Sequence, residues 1–218
     1  MDLKHLEGMD RAMDKNRGDQ VRLGIGLLFI LGVMLYAASQ SVGEVSIMLV
    51  MAAMVGGYMA MNIGANDVAN NVGPAVGSRA LTLGGALAIA AVFEAAGAII
   101  AGGEVVGTIR NGIIDPNLIP DSDTFVWIMM AALIAGALWL NIATAIGAPV
   151  STTHSIVGAV LGGGIAASGF DIVNWSTMSG IAASWIISPV LGGLVAAAFL
   201  YLIKRSITYK PDMMAAAR

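Results

Sequence analysis

The sequence contains no cysteine, and only 11% of its 218 residues are charged. Without cysteine there can be no disulfide framework, no thiolate metal site and no cysteine nucleophile. An ordinary soluble domain is about 25% charged, so a water-soluble fold is not expected. Aromatic residues make up 6% of the chain and the formal net charge is -3. The chain therefore lacks both the basic face and the stacking platforms that nucleic-acid binding needs.

Apolar residues make up most of the chain: 57% of it is hydrophobic, and the mean hydropathy is +0.82. A bilayer core about 30 Å thick requires roughly 20 mainly apolar residues per helix. We therefore expect an all-α membrane protein with about six hydrophobic segments. They run approximately over residues 23–38, 45–61, 83–101, 125–146, 151–168 and 181–203.

The basic residues are segregated, since five of the eleven precede the first segment and four follow the last. Lys and Arg collect on the cytoplasmic side of a membrane, which places both ends and the turn at Ser78 and Arg79 inside. Six crossings satisfy this arrangement. The sequence predicts a multi-pass protein of the inner (plasma) membrane with both termini in the cytoplasm.

Two segments are interrupted by polar residues. Residues 62–74 place amides and a carboxylate among glycine and proline, and lipid cannot satisfy such groups. Irregular backbone at membrane depth is tolerated only where protein or a water-filled cavity surrounds it, so we expect a broken helix that lines an interior site. Residues 147–154 interrupt a second apolar region, which predicts a re-entrant or half helix that starts near Ser151.

The first interruption carries a candidate cation site. Helical spacing places Asn66, Asp67 and Asn70 on neighbouring surface positions, and their oxygens are hard ligands that suit a cation such as sodium. The alternative is a polar clasp between helices, which is common in membrane bundles. A carboxylate at membrane depth is costly, and Asp67 therefore favours the cation site.

The second interruption carries a candidate anion site, formed by Ser151, Thr152 and Thr153 after Pro149. A helix that begins there exposes free N–H groups and the positive end of its dipole. The three hydroxyls add donors, so an anion can bind without a buried Lys or Arg. The alternative is ordinary N-capping by Ser151.

Glu94 lies near the middle of the 83–101 segment, and a carboxylate within a membrane segment is a functional-site hypothesis by default. It is a candidate coupling carboxylate, or it accepts hydrogen bonds from a helix opposite. His154 is expected to be a neutral histidine that bonds a backbone carbonyl. Ser151 and His154 are adjacent in one cap with no third orienting group, so no catalytic residue and no enzyme activity are predicted.

A set of ordered motifs resembles the PiT family of inorganic phosphate transporters over roughly residues 45–205. The motifs are GANDVAN at 64–70, GSRALT at 77–82, FE at 93–94, TIRNGIID at 108–115, PVSTTH at 149–154 and SWIISP at 184–189.

The resemblance implies a symporter that couples inorganic phosphate uptake to sodium or protons by alternating access, built from two inverted repeats with the site between them. Carried over by motif, Asn66, Asp67 and Asn70 bind the cation, and Ser151, Thr152 and Thr153 bind phosphate. Glu94 matches a family glutamate. No cofactor is implied beyond the coupling ion. Residues 71–74 depart from the pattern of many members, which leaves sodium and protons both open.

The resemblance also implies a domain organisation. Residues 1–22 are a cytoplasmic leader, 23–39 an extra N-terminal transmembrane helix, 45–205 the PiT-like repeat, and 206–218 a cytoplasmic tail or the start of a linker. The family carries each polar motif twice, whereas this sequence carries each once. We therefore expect one half of an inverted-repeat transporter, whose partner is a second repeat from a missing C-terminal half or another chain.

Two other functions remain open at this point. One is a sulfate permease of the same broad family, because a half-helix dipole binds either tetrahedral anion. The other is a non-transporting membrane assembly or sensor subunit, for which a single repeat would suffice.

Overall fold

The computed structural model describes residues 3–41 and 46–217, and helices dominate both ranges. The α-helices are α1 (Leu3–Ser39), α2 (Ile47–Ile63), α3 (Ala69–Gly77), α4 (Leu83–Gly107), α5 (Ser122–Ala145), α6 (Thr152–Ser168), α7 (Trp175–Ile203) and α8 (Met213–Ala216). Single π-helical turns follow α2, α4 and α7, at Gly64–Val68, Thr108–Gly112 and Lys204–Thr208. Short 3-10 turns lie at Pro116–Leu118 and Phe170–Ile172.

Five helical stretches in the described ranges are long and apolar enough to cross a membrane. They are Gly18–Ser39, Ile47–Gly77, Leu83–Gly112, Ser122–Ala145 and Trp175–Thr208. The sixth predicted segment is α6, whose 17 residues span only about 26 Å at the usual helical rise. The prediction of an all-helical, multi-pass membrane protein is confirmed, and α6 is shorter than the five stretches above.

The connection between α4 and α5 is shorter than the sequence suggested. Residues 102–124 lie between two of the predicted segments, but α4 continues through its π-helical turn to Gly112, so Glu104 and Arg110 lie on a helix. Helix α5 begins at the cap residue Asp121, whose carboxylate accepts hydrogen bonds from the backbone N–H and the hydroxyl of Thr124 at 2.8 and 2.9 Å. These bonds hold the pKa of Asp121 below its ordinary value.

The chain divides into two compact units, Met1–Val173 and Asn174–Arg218. In the first unit, α2 packs against α1 and α5, and α5 packs against α6. Its core cluster contains Met59 of α2 with Ala137 and Leu140 of α5. The second unit contains α7 and α8, and α7 has no buried residue.

Glycine allows the helices of the first unit to approach closely. A Cβ atom on Gly136 would lie 3.1 Å from the Met59 Cε, and one on Gly164 would lie 2.6 Å from the Cγ2 of Ile114. Small residues at such contacts are typical of membrane helix packing. Gly136 thus lets α5 approach α2, and Gly164 lets α6 approach the connection between α4 and α5.

Candidate functional site

The polar motif of residues 62–74 lies on a continuous helix with one widened turn. The π-helical turn Gly64–Val68 carries α2 into α3, and its flanking residues Ile63 and Ala69 keep right-handed helical dihedrals. The sequence placed an irregularity here, but the chain does not unwind as a broken helix would. Single π-helical turns within α-helices are frequent at functional sites.

Asn62 and Asn66 are the buried polar residues of the described ranges, with relative exposures of 6% and 5%. The Nδ2 of Asn62 donates to the carbonyl of Tyr58 at 2.9 Å. Its Oδ1 accepts a hydrogen bond from the Nδ2 of Asn141 in α5 at 3.2 Å. This pair satisfies polar groups that lipid could not satisfy, and it fixes α2 against α5.

Asn66 lies in the π-helical turn and makes three side-chain hydrogen bonds. Its Nδ2 donates to the Oγ1 of Thr144 at 3.2 Å and to the carbonyl of Ala148 at 3.3 Å. Its Oδ1 accepts from the Nδ2 of Asn70 at 3.1 Å. Since an amide has two N–H donors and an oxygen with two lone pairs, both donors are used and one lone pair remains.

A cavity of about 270 Å³ adjoins these amides. Its lining contains Ala65, Asn66, Ala69, Asn70, Thr144, Gly147, Ala148 and Pro149. This volume accommodates several water molecules or a partly hydrated ion. The cavity thus joins two candidate cation ligands to the turn that precedes the candidate anion site. Asp67 is half-buried and is not part of this lining.

That turn depends on Gly147, whose φ of +70° lies in the left-handed region that glycine adopts without steric cost. The N–H of Ala148 donates back to the carbonyl of Ala143 at 2.8 Å, which closes the end of α5. The turn is therefore fixed on one side by α5 and on the other by Asn66.

Helix α6 begins at Thr152, with Ser151 as its cap. The Oγ of Ser151 accepts from the backbone N–H of His154 at 3.3 Å and lies 2.6 Å from the Nδ1 of the same residue. N-capping by Ser151, the alternative raised from the sequence, is therefore observed. The ring of His154 thus contacts this hydroxyl, and the expected bond to a backbone carbonyl stays a prediction.

The two candidate half-sites open into different cavities. Ser151 lines a cavity of about 380 Å³ together with Trp139, Val150, His154 and Ser155. Thr152 is half-buried and Thr153 is exposed. Capping by Ser151 satisfies one N–H of the first helical turn, and the others remain available to an anion.

Glu94 is exposed on α4. Within the described ranges, α4 packs mainly against α3, and no side-chain hydrogen bond joins Glu94 to either candidate half-site. The structure therefore does not bring this carboxylate together with Asn66 or Ser151.

Sequence reasoning gave no role to Asn62, Asn141 or Thr144. Asn141 was detectable, because an isolated amide in the 24-residue apolar helix α5 needs a partner within the protein. Thr144 gave no such signal, since a membrane threonine commonly bonds its own helix. Only the packing of α2 on α5 shows that it bonds Asn66.

A sequence model of a protein family, described as the phosphate transporter family, matches residues 63–218 of this chain. A protein of Helicobacter pylori strain J99 that carries the name of a phosphate permease is 51% identical over the whole of this chain, which covers 41% of that protein. A Chlamydia trachomatis protein of the same name is 47% identical over 78% of this chain and 40% of its own length. The chain thus spans about two fifths of the length of these curated relatives.

A solved structure resembles the fold as well. It is described as a sodium-dependent phosphate transporter, with a TM-score of 0.73 and 41% sequence identity. The match covers 79% of this chain and 43% of that one.

Proposed function

Because the chain belongs to the phosphate transporter family, we propose that it is one half of a symporter that moves inorganic phosphate across the membrane together with a cation. Transport proceeds by alternating access and leaves phosphate covalently unchanged. A second, inverted repeat completes the site, as in other repeat transporters.

One observation supports this proposal above the others. The cavity lined by Asn66 and Asn70 reaches the turn Gly147–Pro149, which leads directly into the Ser151 cap of α6. Two motifs about 80 residues apart in sequence are thereby adjacent in space. A cation-type ligand set beside an anion-type helix terminus is the arrangement that cation-coupled anion transport requires.

The residues have distinct roles in this proposal. Asn66 and Asn70 supply amide oxygens to the cation from the cavity that both line. Asp67, which lies next to Asn66 but outside that lining, supplies the compensating negative charge. Ser151, Thr152 and Thr153, with the free N–H groups that start α6, hold phosphate. Glu94 acts as the coupling carboxylate once the second repeat covers α4.

We assign sodium as the coupling ion. The similar solved structure is described as sodium-dependent. In the part of the chain that the structure describes, no three His, Cys, Asp or Glu side chains cluster as a metal site. A single carboxylate with amide oxygens suits a monovalent hard cation better than a divalent one.

The orientation and domain limits are also proposals. With both termini cytoplasmic in the inner membrane, the number of crossings is even, so α6 must cross together with the five longer stretches. Residues 1–22 then form the leader, 23–39 the extra transmembrane helix, 45–205 the repeat and 206–218 the tail or linker.

The test is uptake of radiolabelled phosphate into cells that lack their own phosphate uptake systems. The cells express this chain joined to the part of the Helicobacter pylori relative that the match does not cover, and each part expressed separately is the control. We expect sodium-dependent uptake by the joined protein. No uptake by a correctly inserted joined protein would favour the non-transporting subunit.

Competition in the same cells tests the substrate. Arsenate should compete with phosphate much more strongly than sulfate does, because arsenate shares both the shape and the protonation of phosphate. Sulfate carries no proton to donate to a carboxylate acceptor at neutral pH. Strong competition by sulfate would instead favour the sulfate permease.

A further inference from the structure

We infer that Thr144 is a positioning residue of the cation site, because its hydroxyl is one of the two anchors that hold the Asn66 carboxamide beside the cavity. This inference rests on the proposed function. It concerns a residue of α5, outside both polar motifs, that the family resemblance does not assign to the site.

The orientation of the Asn66 amide depends on its hydrogen-bond partners. A carboxamide can turn its oxygen and nitrogen ends through 180° with little change in shape, and its hydrogen-bond partners determine which orientation is adopted. Around Asn66, the Oγ1 of Thr144 and the carbonyl of Ala148 accept from Nδ2. The Ala148 carbonyl can only accept, so it holds the nitrogen toward the turn after α5 and leaves Oδ1 on the side of Asn70. The Thr144 hydroxyl adds a second anchor to the same nitrogen.

A cation in this cavity needs oxygen ligands. A hard cation is bound by oxygen and is repelled by an amide N–H₂ group. The Oδ1 of Asn66 has one lone pair beyond its bond from Asn70, and both residues line the same cavity. If Asn66 turned over, it would present its donors to the cation in place of a ligand.

Asn66 has two anchors, one from the backbone and one from a side chain. The Ala148 carbonyl belongs to the backbone and is present in every variant. The Thr144 hydroxyl is the anchor that depends on a side chain, and it lies in the cavity lining. Helix α5 is itself held in register one turn earlier by the bond between Asn141 and Asn62. Removing only the hydroxyl should therefore loosen Asn66 without separating the helices.

The experiment uses the joined protein of the uptake assay and the variant Thr144→Val, which keeps the side-chain shape and removes the acceptor. We expect the sodium concentration for half-maximal uptake to rise about three- to tenfold, since one hydrogen-bond anchor is lost and one remains. The phosphate concentration for half-maximal uptake, measured at saturating sodium, should stay unchanged. Thr144→Ser restores the hydroxyl and should restore the sodium dependence.

The matched control is Thr108→Val. The hydroxyl of Thr108 donates only to the Glu104 carbonyl of its own helix, so its loss should change neither concentration. Thr144→Ala removes the same hydroxyl and leaves a smaller side chain. It provides the same test if the valine variant does not insert in the membrane.

The possible results separate the two proposals. If Thr144→Val and Thr144→Ala both keep sodium-dependent uptake with an unchanged sodium requirement, the role of Thr144 is overturned and the proposed function stands. A parallel rise in the sodium and phosphate concentrations would also overturn it, because it would indicate a general structural defect. Absence of sodium-dependent uptake in the unmodified joined protein would overturn the proposed function, and this inference with it.

Discussion

Asp67 carries the only formal charge in the π-helical turn Gly64–Val68. It is half-buried, and within the described ranges no salt bridge pairs it. A carboxylate in a membrane segment is retained at a considerable free-energy cost. A bound cation would offset this cost, which is the physical reason for placing Asp67 in the coupling site.

Replacement of this carboxylate gives the first prediction at the residue scale. Asp67→Asn keeps the size of the side chain but removes its charge, so we expect cation-coupled uptake to be lost while the protein still inserts. Phosphate uptake against sodium concentration measures the effect in the joined protein. Asp171→Asn, which removes an exposed carboxylate in the 3-10 turn Phe170–Ile172, is the matched control. Unchanged sodium dependence in Asp67→Asn would remove Asp67 from the site.

Residue identity showed which positions were unusual, but it did not show their partners. The amides of residues 62–74 were recognisable because polar groups are costly in lipid. Whether they bind an ion or clasp a helix depends on what lies opposite. The structure shows that Asn62 and Asn66 do bond α5 or its following turn, so the clasp is observed, and the proposed cation site would use the Asn66 side chain as well. Contacts across 79 and 78 residues of sequence cannot be read from local spacing.

At the scale of the element, apolar runs predicted the helices well and their ends less well. The run at residues 125–146 corresponds closely to α5 (Ser122–Ala145), because burial and length in a bilayer constrain both ends. Helix α7 begins at Trp175, six residues before the predicted start, since the Asn174 side chain caps it by accepting from the Thr177 N–H at 3.0 Å. Hydrophobicity alone does not register such a cap. It also gave no signal for the π-helical turns, which arise where a widened turn lets polar side chains reach their partners.

The packing of α6 gives a prediction at this scale. Gly164→Ala would place a Cβ atom 2.6 Å from Ile114 Cγ2, and such overpacking costs about 1–3 kcal/mol. Gly158→Ala in the same helix meets nothing within 4 Å, and the higher helix propensity of alanine should stabilise it by up to about 1 kcal/mol. Thermal unfolding of the purified chain in lipid nanodiscs should therefore show a lower midpoint for the first variant only. Equal midpoints would mean that α6 does not pack on Ile114 in the membrane.

At the scale of the whole molecule, composition and charge placement predicted the environment, and motif order predicted the family that the match over residues 63–218 shows. They could not predict how much of a working site one chain provides. The two candidate half-sites line separate cavities, and Glu94 lines neither. In the proposed function, a second repeat is therefore needed to enclose phosphate and cation together.

The final prediction follows from that geometry. The chain expressed without a second repeat should insert in the membrane but transport phosphate only near background, because an inverted repeat is expected to supply the other side of the site. Two identical chains could form an inverted pair only by inserting in opposite orientations. The basic residues before the first hydrophobic segment and after the last bias every copy toward the same orientation, so a parallel dimer is a poor substitute.

Proteoliposomes that contain the purified chain should therefore take up far less radiolabelled phosphate than those that contain the joined protein at equal molar amounts. Robust uptake by the chain without any other protein would show that one repeat is sufficient.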